Sequence, residues 1–152
     1  MDNYNQEEGI SLDKKATEVL SKDLAIAELI KFVGKNEDRT PKDWEIEKDY
    51  PQALRAMQDG YLTFDEKMHP HYRLKYPILN DEKEVAVNTV EFRTRIKPQQ
   101  LADIMKGLNI VQNQIEYTLR CLSYIIKQPK AMLDKFEKFD YRVIEQISTV
   151  FM

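Results

Sequence analysis

Apolar and polar side chains alternate most clearly between residues 72 and 96, where a spacing of two predicts a pair of β-strands. The polar run at residues 80–84 separates the two alternating runs, so we expect an antiparallel hairpin joined by a turn. An isolated hairpin is only marginally stable in water, and its apolar face must therefore pack on helices. That face is predicted to carry Tyr72, Leu74, Tyr76, Ile78, Val85, Val87, Val90, Phe92, Thr94 and Ile96, with a bulge near residues 88–89.

Before the hairpin, apolar residues recur at steps of three and four, which is the period of a helix. Ser11 is expected to cap a first helix, and Gly34 is expected to end it. The stripe indicates a face turned towards the protein's own core, and binding in a partner's groove is the alternative. It consists of Leu12, Ala16, Val19, Ile26, Ile30 and Val33.

Two shorter helices are predicted between the first helix and the hairpin. Thr40 with Pro41 marks the start of one, and Pro51 marks the start of the next, which Gly60 closes. Residues 61–65 have the pattern of a short strand. We expect four side chains to anchor this region in the core: Trp44, Tyr50, Leu54 and Met57.

After the hairpin the chain again has a helical period. One helix begins at Pro98 and ends near Gly107, and a longer one is predicted over residues 110–127. The longer helix is apolar on two sides, which is typical of a central helix that could form a floor beneath the hairpin. One side holds Val111, Ile115, Leu119, Leu122 and Ile126, and the other holds Tyr117, Cys121, Tyr124 and Ile125.

A short helix restarts after Pro129, and Asp140 is expected to cap the last helix. The apolar end of that last helix carries Ile147, Val150 and Phe151. It is either docked on the core or available to a partner.

The whole pattern predicts an α+β fold, with a mainly helical bundle packed on one antiparallel β-hairpin and an N-terminal helical extension. We divide the chain into a disordered leader at residues 1–10, a helical extension at residues 11–70 and a hairpin-plus-helical domain at residues 71–152.

Composition and charge narrow the function. The 152 residues fit one domain that folds without disulfides or metals, and Cys121 is the single cysteine. Residues 1–70 carry 16 acids and 10 bases, and this acidic excess argues against a chain that wraps nucleic acid. The N-terminus lacks the basic and apolar regions of a secretory signal, and no apolar run is long enough for a membrane span. We expect a soluble cytoplasmic protein without a nucleic-acid or membrane partner.

No residue pattern predicts catalysis, a cofactor or a metal site. His69 and His71 lack the further ligands of a tetrahedral metal site, so we expect exposed imidazoles in a turn. Cys121 has no neighbouring histidine and is expected to be an inert thiol in the core. The acids at residues 45–49 lie in a polar run, which indicates a solvated face. The sequence therefore favours a protein that acts through its surfaces and is not an enzyme.

Four basic residues alternate with the apolar face of the hairpin and are candidates for partner binding. Arg73, Lys75, Arg93 and Arg95 would share the outer face if the two strands pair as predicted. This patch is either a docking surface for an acidic or helical partner or the ordinary solvent side of a half-buried sheet. The apolar end of the last helix is the competing candidate.

The order of features in residues 74–152 resembles the small tail assembly chaperones of long-tailed bacteriophages. The resemblance begins with the extended segment Leu74-Lys75-Tyr76-Pro77-Ile78 and continues, after the polar turn, with Val90-Glu91-Phe92-Arg93. A helix start at Pro98-Gln99-Gln100-Leu101 follows. Residues 1–71 depart from the compact pattern of that family.

The second half of the resemblance lies after the long helix. It consists of Leu133-Asp134-Lys135-Phe136, then Asp140-Tyr141, and an apolar last helix that ends in Val150-Phe151. Each motif is short, and the resemblance rests on their order and spacing.

The resemblance implies a non-enzymatic phage or prophage protein in the cytoplasm of a bacterial host. Such proteins are thought to bind the long tape-measure protein and keep it soluble until the tail tube polymerises around it. A long helical client exposes apolar surface that would otherwise aggregate, and a protein with accessible apolar stripes could cover it reversibly. The alternative is a structural tail or baseplate component that stays in the particle. Either kind of protein could also form a homo-oligomer.

Overall fold

The computed structural model describes residues 20–152, which form an α+β fold of helices around a three-stranded antiparallel sheet. The predicted fold class is therefore confirmed, with one strand more than the hairpin alone. The predicted leader and the helix start at Ser11 lie outside the described residues. The elements are α1 (Lys22–Glu37), α2 (Asp43–Asp49), α3 (Pro51–Gln58), β1 (Leu62–Phe64), β2 (Pro70–Leu79), β3 (Val85–Glu91), α4 (Pro98–Met105), α5 (Gln114–Ile125), α6 (Lys130–Leu133) and α7 (Lys138–Thr149).

The sheet is built around β2, which pairs with both other strands. Leu62 of β1 lies opposite Tyr72, and Tyr72 lies opposite Val90 of β3 on its other side. All three side chains are buried, so this end of the sheet turns its inner face to the core. β3 ends at Glu91, although the alternation in the sequence predicted a strand as far as Ile96.

The pairing of β2 with β3 shifts between Thr89 and Val87, close to where the sequence pattern predicted a bulge, but most of the extra residues lie in β2. A second, smaller shift leaves Ala86 as an extra residue of β3. Arg73 faces Thr89, but Ile78, five residues further on, faces Val87 only two residues back along β3. The extra residues of β2 interrupt the alternation of faces. Tyr76 lies in this segment and is 48% exposed, so the prediction that it lies on the inner face is wrong.

A buried carboxylate holds the bulge in place. Asp140, in the first turn of α7, is fully buried, and its Oδ1 accepts hydrogen bonds from the Tyr72 hydroxyl (2.5 Å) and the Lys75 N–H (2.9 Å). Its Oδ2 accepts one from the Tyr76 N–H at 3.0 Å. A bulge leaves backbone donors without ladder partners, and this carboxylate supplies two of them with an acceptor. The predicted capping role of Asp140 is wrong, because the residue in the N-cap position is Glu137.

α1 passes through Gly34 and ends at Glu37, so the predicted end at Gly34 is wrong. Asp38, with a φ of 51°, takes the left-handed conformation that ends the helix. Gly34 is required by packing instead, because a Cβ there would lie 2.7 Å from the carbonyl oxygen of Arg39. The chain therefore turns back tightly against the last turn of α1.

One hydrophobic core joins α1 to the sheet and to the last helix. The ring of Phe32 is fully buried, and its centroid lies 4.6 Å from that of Phe64 in β1. It also meets the ring of Phe151 edge-on at 5.6 Å. The Ala53 N–H of α3 donates to Oε1 of Gln146 in α7 at 3.0 Å. These contacts join residues on both sides of the predicted boundary between residues 70 and 71. The division of the chain at that boundary stays a prediction.

The predicted anchors of α2 and α3 divide into two groups. Tyr50, Leu54 and Met57 are buried in the core, as expected. Trp44 is 58% exposed, so its predicted role as a packing residue is wrong. The only buried side chain of α2 is Ile46, two positions later and on a different side of the helix.

Candidate partner-binding surfaces

Two of the four predicted basic residues lie against aromatic rings in different parts of the fold. The guanidinium of Arg73, in β2, lies 5.1 Å from the centroid of the Tyr61 ring. The guanidinium of Arg93 lies beyond the end of β3, 4.6 Å from the centroid of the Tyr124 ring in α5. The Arg93 N–H also donates to the carbonyl oxygen of Ile125 at 2.7 Å. Arg93 is therefore bound to α5 and does not take part in a strand face with Arg73.

The other two basic residues, Lys75 and Arg95, are also exposed. The ammonium of Lys75, in the bulge of β2, lies 5.1 Å from the ring centroid of Phe139 in α7. Arg95 lies in the connection between β3 and α4. Because β3 ends before Arg93 and Arg95, the four residues do not share the outer face of a hairpin. Their role in partner binding stays a prediction.

The apolar end of α7 is docked on the core. Ile147 is fully buried and Val150 is 9% exposed, while Phe151 is half-buried against Phe32. In this conformation the three residues therefore offer little surface to a partner. The sequence left open whether this end is docked on the core or available to a partner, and in the structure it is docked.

The apolar stripe of α5 continues past the edge of the core. Leu122 and Ile126 are buried, whereas Ile115, on the same side of α5, is 79% exposed, and Val111, in the turn before α5, is 83% exposed. The predicted helix over residues 110–127 is shorter than expected, because α5 begins at Gln114. We call Val111 and Ile115 the exposed stripe. It is apolar surface for which residues 20–152 provide no cover.

The turn before α5 determines where Val111 points. The Asn109 side chain accepts a hydrogen bond from the Val111 N–H at 3.1 Å, and the Asn113 side chain accepts one from the Asn109 N–H at 3.1 Å. These two bonds fix the turn locally, as asparagine side chains do when they imitate a backbone turn. Val111 is thus held outward by a defined turn and not by a loose loop.

A groove of about 390 Å³ lies between α4 and α5, on another side of α5 from the exposed stripe. Ile104 and Tyr124 are the apolar residues of its lining, and Asp103, Arg120 and Lys130 are the charged ones. No residue of α4 is fully buried, so this helix packs loosely on the outside of the fold. We call this feature the α4–α5 groove.

Arg120 holds the two walls of the groove together. Its Nη1 donates to the carbonyl oxygens of Ile104 (3.1 Å) and Lys106 (3.0 Å), at the end of α4. Its Nε donates to Glu116 at 3.2 Å, and Lys130 donates to the same carboxylate at 2.6 Å. The hydrogen bond from Lys130, and then that from Arg120, lowers the pKa of Glu116 below its ordinary value. Glu116 therefore stays ionised and keeps both cations at the rim.

A larger cleft, of about 670 Å³, lies between α7 and the helices that precede the sheet. Its charged lining is balanced, with three carboxylates and three cations, and burial raises the pKa of Tyr50 in its wall to about 12. Such a balanced lining does not select a ligand by charge. The six charged residues are Glu37, Arg39, Lys48, Asp49, Arg142 and Glu145.

The residues with candidate chemistry lie in separate places. His69 and His71 are both exposed, as expected, and the Asp65 carboxylate lies 3.8 Å and 3.3 Å from their rings. His69 lies in the turn before β2, but His71 lies in β2 itself, opposite Thr63, so its predicted position in a turn is wrong. Cys121 lies fully buried in the core, as predicted, and its burial raises the pKa of the thiol. Among residues 20–152 no group of three His, Cys, Asp or Glu side chains could hold a metal ion. No helix in that range has the length and apolar character needed to cross a membrane.

Comparison with known proteins gives no family for this chain. No family model, no curated protein and no solved structure matches it. The exposed stripe and the α4–α5 groove must therefore be interpreted from their own contacts, burial and charge.

Sequence reasoning missed the groove and the outward position of Ile115. The spacing of apolar residues predicted the stripe of α5, but spacing alone does not predict which part of a helix extends beyond the core. A weak signal was present in the segment 112–114, Gln-Asn-Gln, since three polar residues before the helix left its first turn without nearby apolar partners.

Proposed function

We propose that this protein is a non-enzymatic tail assembly chaperone of a phage or prophage, and that it binds the tape-measure protein before the tail tube polymerises. One observation carries the proposal: the exposed stripe of α5. Ile115 continues the buried row of Leu122 and Ile126 into solvent, and Val111 is exposed in the turn before α5. A helix laid along α5 and this turn would extend the core over both side chains. The resemblance of residues 74–152 supplies the identity of that helix.

The stripe also suits reversible binding. Two exposed aliphatic side chains correspond to about 3–6 kcal/mol when fully buried, at about 1.5–3 kcal/mol each. A chaperone must release its client when the tube assembles, and a small apolar contact repeated along a long helical client meets this requirement.

The test is co-expression with the tape-measure protein encoded nearby. We expect the client to become soluble and to elute together with the chaperone. Val111→Glu combined with Ile115→Glu should abolish this, because two carboxylates would then face the apolar side of the client. Gln112→Glu combined with Gln114→Glu is the matched control, with the same charge added at neighbouring exposed positions.

Two results would contradict the proposal. A client whose solubility and elution do not change on co-expression would remove the chaperone role. Mass spectrometry of purified particles is the second measurement, since a chaperone should be absent from them. Stoichiometric retention in the tail would identify a structural tail or baseplate component instead.

A further inference from the structure

The charges of the described chain are strongly divided along the sequence. Residues 92–135 contain eight bases and three acids, a net charge of +5, whereas the whole chain has a net charge of −3. This basic segment includes α4, α5 and α6 and thus both walls of the α4–α5 groove. A partner that binds here meets a positive field in a protein that is otherwise acidic.

Much of this positive charge is not neutralised within the described residues. Among residues 20–152, no carboxylate oxygen lies within 4.0 Å of a side-chain nitrogen of Arg93, Arg95 or Lys97. These three residues follow β3 and lead directly into α4. Of the residues that line the groove, only Asp103 is acidic.

Arg93 places this cationic run at the groove. Its guanidinium lies 4.6 Å from the centroid of the Tyr124 ring, and Tyr124 is part of the apolar lining. Its Nε also donates to the Tyr124 carbonyl oxygen at 2.9 Å, which fixes the side chain there. At the other end of the run, the Lys97 N–H donates to the side chain of Gln100, a residue of the groove wall, at 3.1 Å.

We propose that the α4–α5 groove binds an amphipathic helix with acidic flanks. The apolar side of that helix packs on Ile104 and Tyr124, and its carboxylates face the run from Arg93 to Lys97, whereas Lys130 is already paired with Glu116. A helix fits because α4 and α5 form the two walls of the groove, and a third helix can pack between them. The charges of the rim then select acidic over basic helices.

Other classes of partner fit less well. The concave floor between the two helices would stay empty against a flat lipid surface. One face of the Tyr124 ring is already covered by Arg93, which leaves a poor platform for stacking a nucleobase. The assignment of the groove to an acidic helix does not depend on the proposed function. Only the further step, that this helix belongs to the tape-measure protein, depends on it.

The experiment uses the full chain and two synthetic helical peptides of about 18 residues, which is five turns. Both peptides have the same leucine stripe, and one carries glutamate and the other lysine on its flanks. Backbone amide shifts of the labelled protein are followed by NMR at about 50 mM and about 500 mM salt. We expect the acidic peptide to bind at least tenfold more tightly at low salt and to shift the amides around Ile104 and Tyr124.

Charge-reversal variants make the assignment specific. Arg95→Glu combined with Lys97→Glu should weaken binding of the acidic peptide by about tenfold or more and should improve binding of the basic one. Lys67→Glu combined with Lys83→Glu, in the exposed turns on either side of β2, reverses two charges outside the groove lining and should leave both affinities unchanged. Arg93 is left intact because its bonds to α5 hold the fold.

Several outcomes overturn this assignment. Equal binding of the two peptides, or shifts confined to the exposed stripe, would show that the groove does not select acidic helices. Self-association that Ile104→Gln abolishes would identify a second copy of this chain as the occupant. Binding of anionic vesicles or of a single-stranded oligonucleotide through Arg95 and Lys97 would identify another class of partner. Loss of tape-measure binding with retained peptide selectivity would contradict the proposed function and leave the groove assignment standing.

Discussion

The carboxylate of Asp140 accepts a hydrogen bond from the Tyr72 hydroxyl at 2.5 Å, across 68 positions of the chain, and both side chains are buried. The same carboxylate accepts two backbone N–H groups of the β2 bulge. One acidic residue thus fixes the register of the sheet against α7. Burying a carboxylate is unfavourable unless hydrogen bonds replace its hydration, and here three donors do so.

Asp140→Asn is expected to lower the free energy of unfolding by about 1–3 kcal/mol, because the amide group would turn an N–H towards a backbone N–H that needs an acceptor. Urea unfolding followed by circular dichroism measures this difference. Asp81→Asn, which makes the same substitution in the exposed turn after β2, should change the stability little. Equal effects of the two substitutions would mean that Asp140 does not hold the bulge.

Tyr72 should make the fold sensitive to alkaline pH. Burial, and then the hydrogen bond to Asp140, raises its pKa above the ordinary value of 10.0. Because the folded state holds the proton more tightly, this contribution to stability is complete below pH 10 and is lost progressively above it. Urea unfolding at a series of pH values measures the loss.

Tyr72→Phe should be less stable at neutral pH and should show a shallower decline above pH 10. Tyr76→Phe removes the hydroxyl of a side chain that is 48% exposed and should retain the steeper decline of the parent protein. The interpretation fails if the Tyr72→Phe and parent curves run parallel.

Phe32 and Phe151 should be coupled energetically, because their rings meet edge-on at 5.6 Å. A double-mutant cycle with leucine at both positions is expected to give a coupling energy of about 0.5–1.5 kcal/mol. Phe32→Ala alone should cost about 3–5 kcal/mol, since the ring is fully buried. The control cycle pairs Phe151→Leu with Val111→Ala, which is exposed and should be additive. A cycle for Phe32 and Phe151 that is also additive would place α1 and the end of α7 in independent parts of the fold.

Gly34→Ala should destabilise the protein although alanine is the better helix former. Propensity alone would favour alanine by about 1 kcal/mol. The added Cβ would meet the Arg39 carbonyl at 2.7 Å, and such overpacking typically costs about 1–3 kcal/mol. Lys31→Ala, on the exposed side of the same helix, is the control. A more stable Gly34→Ala variant would show that the connection to α2 can move away freely.

Local patterns in the sequence were sufficient for the elements but not for their irregularities. Alternation placed Tyr72, Leu74 and Ile78 in the core correctly, yet it failed at Tyr76 and at Val85, which is 59% exposed. The reason is that a bulge breaks the period of two, and the group that stabilises this bulge is Asp140, far along the chain. A sequence window cannot reveal an acceptor supplied from such a distance.

The candidate surfaces depend on tertiary structure in the same way. The stripe of α5 could be derived from spacing, but the exposure of Ile115 depends on where the rest of the core ends. Ile147 shows the converse, since the same kind of pattern on α7 proved to be buried. The basic run from Arg93 to Lys97 was visible in part, and its relation to the groove follows only from the position of Tyr124.

The contact between Phe32 and Phe151 also has a consequence for synthesis on the ribosome. The two residues are 119 positions apart, which corresponds to roughly 6–24 s of translation at about 5–20 residues per second. During that interval α1 has been synthesised but lacks the last helix that completes its packing. The nascent chain must therefore carry exposed apolar surface for seconds, and its yield in cells should depend on elongation rate and on the host factors that shield unfinished chains.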